Sequence, residues 1–175
     1  DNDGDLDVVT SAWDIGEDFM HYFKNNGDGT FTEESAKSGL GAFKGGLNIQ
    51  QTDYNNDGHL DIWVLRGAWQ GGDGPWGEQP NSLMRNNGNG TFTDVTIDAG
   101  LLSFRPTQTA TWNDFNHDGW LDVFIGNETL PGKNVFPCEF YMNNQNGTFT
   151  NVAAELGVDL KMFVKGVTSG DYDND

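Results

Sequence analysis

The chain has 175 residues, of which 27 are acidic and 9 are basic, so its formal net charge at neutral pH is −18. This balance excludes a nucleic-acid-binding protein, because phosphate backbones are bound by clusters of Lys and Arg. No apolar run is long enough to span a bilayer, so we expect no direct membrane insertion. Cys138 is the only cysteine, which excludes an intrachain disulfide.

The first unit of the chain opens on an acidic motif whose acidic positions are Asp1, Asp3, Asp5 and Asp7. A strand-like segment at residues 20–23 then precedes a turn rich in Asn and Gly at residues 25–30. Such a turn between apolar segments is the strongest short-range signal for a β-hairpin. The unit ends in Gly39-Leu40, which suits one helical turn stopped by a glycine.

The second and third units repeat this order with an additional strand at the front. Small, polar strands are predicted at residues 47–52 and 107–113, and each leads into an acidic loop. The apolar runs after these loops, residues 60–65 and 121–125, are rich in β-branched and aromatic residues and predict buried strands. Further strands are predicted on both sides of the hairpin turns that begin at Asn86 and Asn143. A last small, polar strand is predicted at residues 165–170, before a partial acidic motif with Asp171, Asp173 and Asp175.

The acidic loop reads D-x-N-x-D-G-x-x-D and is complete twice, at residues 53–61 and 114–122. Three carboxylates in nine residues resist ionising together unless a cation is present, and ligands that are all oxygen select Ca²⁺. We therefore predict Ca²⁺ as the cofactor. The predicted side-chain ligands are Asp53, Asn55, Asp57, Asp61, Asp114, Asn116, Asp118 and Asp122. His59 and Trp120 are predicted to contribute only a backbone carbonyl, and metal binding by the partial motifs at the two ends stays open.

The loop also resembles two other structures, an EF-hand and an ordinary turn. An EF-hand needs a Glu at loop position twelve and a helix on each side; that position holds Val64 or Ile125, and strands are predicted to follow. The EF-hand is therefore excluded. Asp, Asn and Gly also dominate ordinary turns, but repetition of the motif in register favours metal binding.

The repeat predicts the fold. The first Asp of successive motifs is residue 53, 114 or 171, and each full unit contains four predicted strands. Four strands in about sixty residues, repeated radially, are typical of a β-propeller blade. We predict an all-β chain divided at residues 1–44, 45–104, 105–162 and 163–175. About three blades cannot close a ring alone, so we predict a fragment that packs against the remaining blades of a parent protein.

The repeated motifs resemble the FG-GAP repeat, also called the VCBS repeat, whose calcium-binding form occurs in integrin α-subunit propellers. Residues 81–101 resemble, nearly end to end, the repeat unit of the cartilage acidic protein family. The chain is most similar to bacterial members of the cartilage acidic protein family, in which the repeat accompanies an ASPIC/UnbV domain that has no counterpart here. The resemblance implies an extracellular, cell-surface or periplasmic propeller with Ca²⁺ in its blade loops. It assigns the ligand roles to the same residues of the two complete loops.

Three functions are compatible with the sequence. The first is a Ca²⁺-binding scaffold for adhesion or ligand binding, with a protein or a glycan as partner. The second is a carbohydrate-binding propeller that uses Trp69 and Trp76, in a long Gly-rich connection, to stack on sugars; these side chains equally suit covering a blade edge. The third is an accessory propeller of an extracellular hydrolase or lyase. No nucleophile and base motif is present, so we predict that the chain itself is not an enzyme.

Overall fold

A computed structural model of the chain describes residues 3–12, 19–66, 79–129, 132 and 134–173. These residues form three antiparallel sheets and almost no helix, which confirms the all-β class. In every sheet the strands are hydrogen-bonded in chain order, as in the blades of a propeller. We call the sheets blades 1, 2 and 3. No helix in the described ranges is long and apolar enough to cross a membrane.

The strand bounds follow the predicted repeat. Blade 1 consists of β1 (Val8–Ser11), β2 (Met20–Asn25) and β3 (Phe31–Glu33). It is followed by the single helical turn α1 (Ser35–Ser38) and a 3-10 turn (Leu40–Ala42). Blade 2 consists of β4 (Asn48–Thr52), β5 (Asp61–Leu65), β6 (Ser82–Asn86) and β7 (Phe92–Asp94). Blade 3 consists of β8 (Thr107–Asn113), β9 (Asp122–Asn127), β10 (Glu139–Asn143) and β11 (Phe149–Asn151).

Strand β5 is buried on both of its faces, as its nearly continuous apolar sequence predicts. Successive side chains of a strand point to opposite faces of the sheet. Ile62 and Val64 therefore pack against blade 1, and Trp63 and Leu65 pack against blade 3. The apolar core consequently lies between the blades and not within any one of them.

Each of the two blade interfaces has its own apolar cluster. The cluster between blades 1 and 2 is formed by Met20, Tyr22, Leu40, Ile62, Val64 and Met84. The larger cluster between blades 2 and 3 is formed by Tyr54, Trp63, Leu65, Leu83, Val95, Ala99, Leu101, Ala110, Val123, Ile125, Tyr141 and Phe149. In the second cluster Trp63 meets Trp112 edge to face, with ring centroids 6.0 Å apart.

The first strands of blades 2 and 3 lie side by side and are joined by polar side chains. Gln50 Nε2 donates to the carbonyl of Ala110 at 2.7 Å, and Asn48 Nδ2 donates to the carbonyl of Gln108 at 3.3 Å. Both donors belong to β4 and both acceptors belong to β8. The polar character of these inner strands therefore provides hydrogen bonds from blade to blade.

Arg66 joins the connection between blades 1 and 2 to the segment that leads into β6. Its guanidinium donates to the carbonyls of Lys44 at 3.0 Å, Gly45 at 3.1 Å and Pro80 at 2.9 Å, and also to Ser82 Oγ. Burial lowers the pKa of Arg66 to about 10, so the side chain still carries its charge at neutral pH. A buried cation bonded to several carbonyls holds the connection between the blades in one conformation.

Residues 165–170 differ from the prediction, because they do not form a strand in the structure. They lie beside β8, where Val167 N–H donates to Thr109 Oγ1 at 3.2 Å and Ser169 Oγ is 3.0 Å from Thr111 Oγ1. In blades 2 and 3 the first strand pairs only with the second strand of its own blade. No second strand of this unit lies within the described residues 163–173, so the segment has no ladder to join.

Candidate calcium sites

In the loop of residues 53–61 two side chains turn toward the same backbone N–H. Asp57 N–H points at both Asp53 Oδ1, at 3.1 Å, and Asn55 Oδ1, at 3.3 Å. Gly58 N–H donates to the other Asp53 oxygen at 3.1 Å, and Asn55 Nδ2 donates to Asp57 Oδ2 at 2.7 Å. The loop thus gathers two carboxylates and one amide oxygen within one tight turn.

The loop of residues 114–122 repeats this geometry. Asp118 N–H points at Asp114 Oδ1, at 3.0 Å, and Asn116 Oδ1, at 3.1 Å. Gly119 N–H donates to the second Asp114 oxygen at 2.8 Å, and Asn116 Nδ2 donates to Asp118 Oδ2 at 2.9 Å. Two loops with the same contacts indicate that the motif itself determines this conformation.

The glycine of each loop has a left-handed backbone conformation. Gly58 has φ of 82° and Gly119 has φ of 87°, which residues with a side chain rarely adopt. Each loop then leads into a buried strand, β5 or β9. In the described residues after the loops there is accordingly no helix of the kind that an EF-hand requires.

The last acidic residue of each loop is held by the hairpin turn of its own blade. Asp61 Oδ1 accepts the backbone N–H of Asn86 at 2.8 Å, and Asp61 Oδ2 accepts that of Tyr54 at 3.3 Å. Asn86 Nδ2 in turn donates to the carbonyl of Leu60 at 3.2 Å. The same exchange joins Asp122 with Asn143 in blade 3. We call this exchange the loop–hairpin clasp.

Blade 1 contains the clasp as well, although its loop is only partly present. Asp7 Oδ1 accepts the backbone N–H of Asn25 at 2.8 Å, and Asn25 Nδ2 donates to the carbonyl of Leu6 at 3.1 Å. The hairpin Asn was predicted only as a turn residue. Its recurrence as the last residue of β2, β6 and β10 is the sequence signal for its role in the clasp.

The donor atoms fit a hard divalent cation in chemistry. The gathered side-chain groups are carboxylate and amide oxygens, which Ca²⁺ prefers. Among the described residues, no group of three or more His, Cys, Asp and Glu side chains is gathered for metal binding. Each loop gathers only two carboxylates, because its third side chain is the amide of an Asn. The last carboxylate, Asp61 or Asp122, bonds to backbone N–H groups instead. Each carboxylate oxygen keeps lone pairs beyond those bonds.

Burial and nearby negative charges both raise the pKa of the last acidic residue of each loop. Burial raises the pKa of Asp61 to about 7; the N–H groups of Asn86 and Tyr54 oppose this, and the charges of Asp57 and Asp53 raise it further. Burial also raises the pKa of Asp122. The pKa of Asp118 is lowered, chiefly by the hydrogen bond from Gln145. The anionic form of Asp61 is therefore unfavourable unless a positive charge lies nearby.

The remaining predicted site residues lie apart from the two loops. Asp3 accepts Asp5 N–H at 3.1 Å and forms an ion pair with Lys24 at 3.1 Å. Asp171 and Asp173 are exposed. Asp1, Asp175, Trp69 and Trp76 lie outside the described residues, so the glycan-binding prediction for the two Trp side chains stays a prediction.

These observations define a repeat protein in which each antiparallel blade contains a strand, β1, β5 or β9, that directly follows an acidic loop. A sequence model of the FG-GAP-like repeat matches residues 1–64, 66–125 and 114–175. The chain therefore belongs to the FG-GAP-like repeat family, as the resemblance predicted.

Two curated proteins are similar to the chain. Both are named cartilage acidic protein 1. The protein from Xenopus tropicalis is 31% identical over 114 residues, which are 63% of this chain and 16% of the relative. The protein from Homo sapiens is 30% identical over 130 residues, which are 69% of this chain and 18% of the relative. The chain thus spans less than a fifth of the length of either relative.

Proposed function

We propose that the chain is a Ca²⁺-stabilised FG-GAP repeat scaffold of a secreted or cell-surface protein, without catalytic activity of its own. The observation that carries the proposal is the gathering of the side chains of Asp53, Asn55 and Asp57 within one tight turn, repeated by Asp114, Asn116 and Asp118. Ca²⁺ would be held by these oxygens and by the carbonyls of His59 and Trp120. Asp61 and Asp122 would close the two sites.

The loop–hairpin clasp explains how metal binding would stabilise the blade. Asp61 accepts the N–H of Asn86, so the loop and the strand β6 share one carboxylate. A cation beside Asp61 would favour its anionic form, which burial opposes. Because the anion accepts stronger hydrogen bonds than the neutral acid does, the metal would strengthen the attachment of the loop to β6.

Weak calcium sites are consistent with an extracellular location, since Ca²⁺ is abundant enough outside cells to fill them. The relatives are named after cartilage, a tissue whose matrix lies outside cells. The strongly acidic composition favours cation binding and solubility. As a scaffold the chain would present its loops to a protein or glycan ligand.

Thermal unfolding with Ca²⁺, with Mg²⁺ and with a chelator tests the metal assignment. A site filled a hundredfold above its Kd adds about 2.7 kcal/mol, which corresponds to a rise in Tm of about 5 to 10 °C. Asp57→Ala and Asp118→Ala should each remove part of the rise. Mg²⁺ should raise the Tm less than Ca²⁺ does, because Mg²⁺ demands a smaller octahedral site.

Asp98→Ala is the matched control, because Asp98 is an exposed carboxylate outside the loops. It should leave the calcium-dependent rise unchanged. A melting curve that is the same with Ca²⁺ and with chelator would refute the proposed metal function.

A further inference from the structure

The two complete loops touch each other directly. Asn56 Nδ2 donates to the carbonyl of Gly119 at 2.9 Å. Asn56 lies between the predicted ligands Asn55 and Asp57, and Gly119 lies between Asp118 and Trp120. A single hydrogen bond therefore joins the centre of one loop to the turn of the other, although the residues are far apart in the chain.

A second side chain holds both loops at once. Asn143 Nδ2 donates to the carbonyl of Tyr54 at 2.8 Å and to the carbonyl of Leu121 at 3.1 Å. Tyr54 belongs to the loop of residues 53–61 and Leu121 to the loop of residues 114–122. Asn143 is buried, with 5% of its surface exposed, so this bridge is shielded from competing water. The loops consequently keep one relative placement.

The contact of Asn56 depends on a demanding backbone conformation. Asn56 has φ of 54°, in the left-handed region that Asn adopts more readily than most residues. Metal binding by its two neighbours would hold this conformation and aim the side chain at Gly119. The Gly119 carbonyl belongs to the peptide that precedes Trp120, whose own carbonyl is a proposed ligand. Ordering one loop would thus order the ligand-bearing turn of the other.

We propose that Asn56 couples the two calcium sites, so that Ca²⁺ in the loop of residues 53–61 raises the affinity of the loop of residues 114–122. This inference rests on the proposed function. Linkage makes the effect reciprocal, and couplings of this kind change affinity about 5-fold or more. The physical basis is ordering: a ligand that binds an already ordered loop loses less conformational entropy.

Electrostatic repulsion between two bound cations would lower the affinity of the second loop and so oppose the effect of ordering. A Ca²⁺ ion in one loop makes the other loop a weaker attractor for a second cation. Salt screens such an effect beyond about 8 Å at physiological ionic strength, whereas a direct hydrogen bond is not screened in this way. The measurement therefore belongs at physiological salt, where ordering is expected to exceed repulsion.

The chain provides a reporter for one site. Trp120 lies within the loop of residues 114–122, and the same place in the other loop is occupied by His59. Tb³⁺ bound beside Trp120 should emit light on tryptophan excitation, and Ca²⁺ competition then gives the affinity of that loop. Trp120→Phe should abolish most of this emission, which assigns the signal to the site.

Four proteins test the coupling. Asp57→Ala, which disables the first loop, should lower the Ca²⁺ affinity of the second loop about 5-fold or more. Asn56→Gly removes the hydrogen bond and keeps the left-handed backbone accessible; it should lower the affinity to a similar extent. In the double variant Asn56→Gly with Asp57→Ala, no further loss is expected. His117→Gly is the control for introducing a glycine at this loop position. His117 occupies the same place in the second loop as Asn56 does in the first, and it has φ of 59°.

The outcomes separate the two proposals. Absence of Tb³⁺ and Ca²⁺ binding in the unmodified protein would refute the metal function itself. Binding with an affinity that Asp57→Ala leaves unchanged or raises would refute the coupling and leave the metal function standing. Coupling that persists in Asn56→Gly would refute the role of Asn56.

Discussion

Asn86, at the hairpin, is bonded to Asp61 and to the residue before it, at the end of the acidic loop, through two hydrogen bonds. The carboxylate of Asp61 accepts the backbone N–H of Asn86 at 2.8 Å, and the side chain of Asn86 donates to the carbonyl of Leu60, directly before Asp61, at 3.2 Å. The third partner of Asn86 is Gly88, whose N–H donates to Asn86 Oδ1 at 3.0 Å. One Asn side chain thus shapes its own turn and fastens the acidic loop.

Asn86→Ala should lower the free energy of unfolding by about 1 to 2 kcal/mol, because it removes two side-chain hydrogen bonds worth about 1 kcal/mol each. Urea denaturation at one fixed Ca²⁺ concentration measures the change. Asp98→Ala, at an exposed site, should stay within about 0.5 kcal/mol of the unmodified chain. Equal losses in the two variants would contradict a specific role for the clasp.

Thr52→Val should raise the stability by about 1 kcal/mol. Thr52 is buried and its Oγ1 has no hydrogen-bond partner, so a methyl group of the same shape removes a desolvated polar atom. Thr107→Val is the matched control, because Thr107 Oγ1 donates to Asn127 Oδ1 at 2.7 Å and accepts from Asn81 Nδ2 at 3.2 Å. It should lower the stability by about 1 to 3 kcal/mol. A destabilised Thr52→Val variant would indicate that a buried water serves this hydroxyl.

Gly46→Ala should lower the stability by about 1 to 3 kcal/mol or prevent folding. A Cβ at Gly46 would lie 2.2 Å from the carbonyl oxygen of Leu65, so the backbone between blades 1 and 2 would have to move. Gly166→Ala provides the control, since a Cβ there meets no atom within 4 Å. Thermal unfolding of the two variants compares them directly. Similar values of Tm would show that the close approach has no energetic importance.

Arg66→Met should lower the stability by about 3 kcal/mol or more, because it leaves several buried carbonyls without their donor. Arg66→Lys should recover only part of the loss, since a single ammonium lacks the planar fork that reaches separated acceptors. Arg85→Met is the control for removing a charge: Arg85 is half-buried and contacts Asn87 Oδ1 at 3.4 Å. Chemical denaturation of the three variants should rank them with Arg66→Met lowest.

The strands of blades 2 and 3 were predictable because their apolar runs and turn residues recur at a constant spacing. The packing of β5 against both neighbouring blades followed from its unbroken apolar sequence. These features depend on residues that are close in the chain. Local patterns report local conformation well.

The blade-to-blade contacts were not predictable in the same way. Asn56 and Gly119 are separated by 63 positions, and nothing in either loop alone indicates that they meet. Arg66 is similar, because its acceptors are backbone carbonyls, which every residue carries. Residues 165–170 show the converse: their sequence suits an inner strand, but strand formation needs a partner strand, and the described residues 163–173 contain none. Contacts of this kind follow from the assembled topology.

The double-sided burial of β5 has a consequence for how the chain unfolds. Ile62 and Trp63 are consecutive residues, yet each contributes to a different interface. A blade separated from its neighbours would expose both sets of side chains, so no blade is a unit of stability by itself. The chain should behave as a one-dimensional array whose stability is a sum over adjacent pairs. Hydrogen exchange should then be slowest in β5, and opening should spread inward from the outer faces of blades 1 and 3.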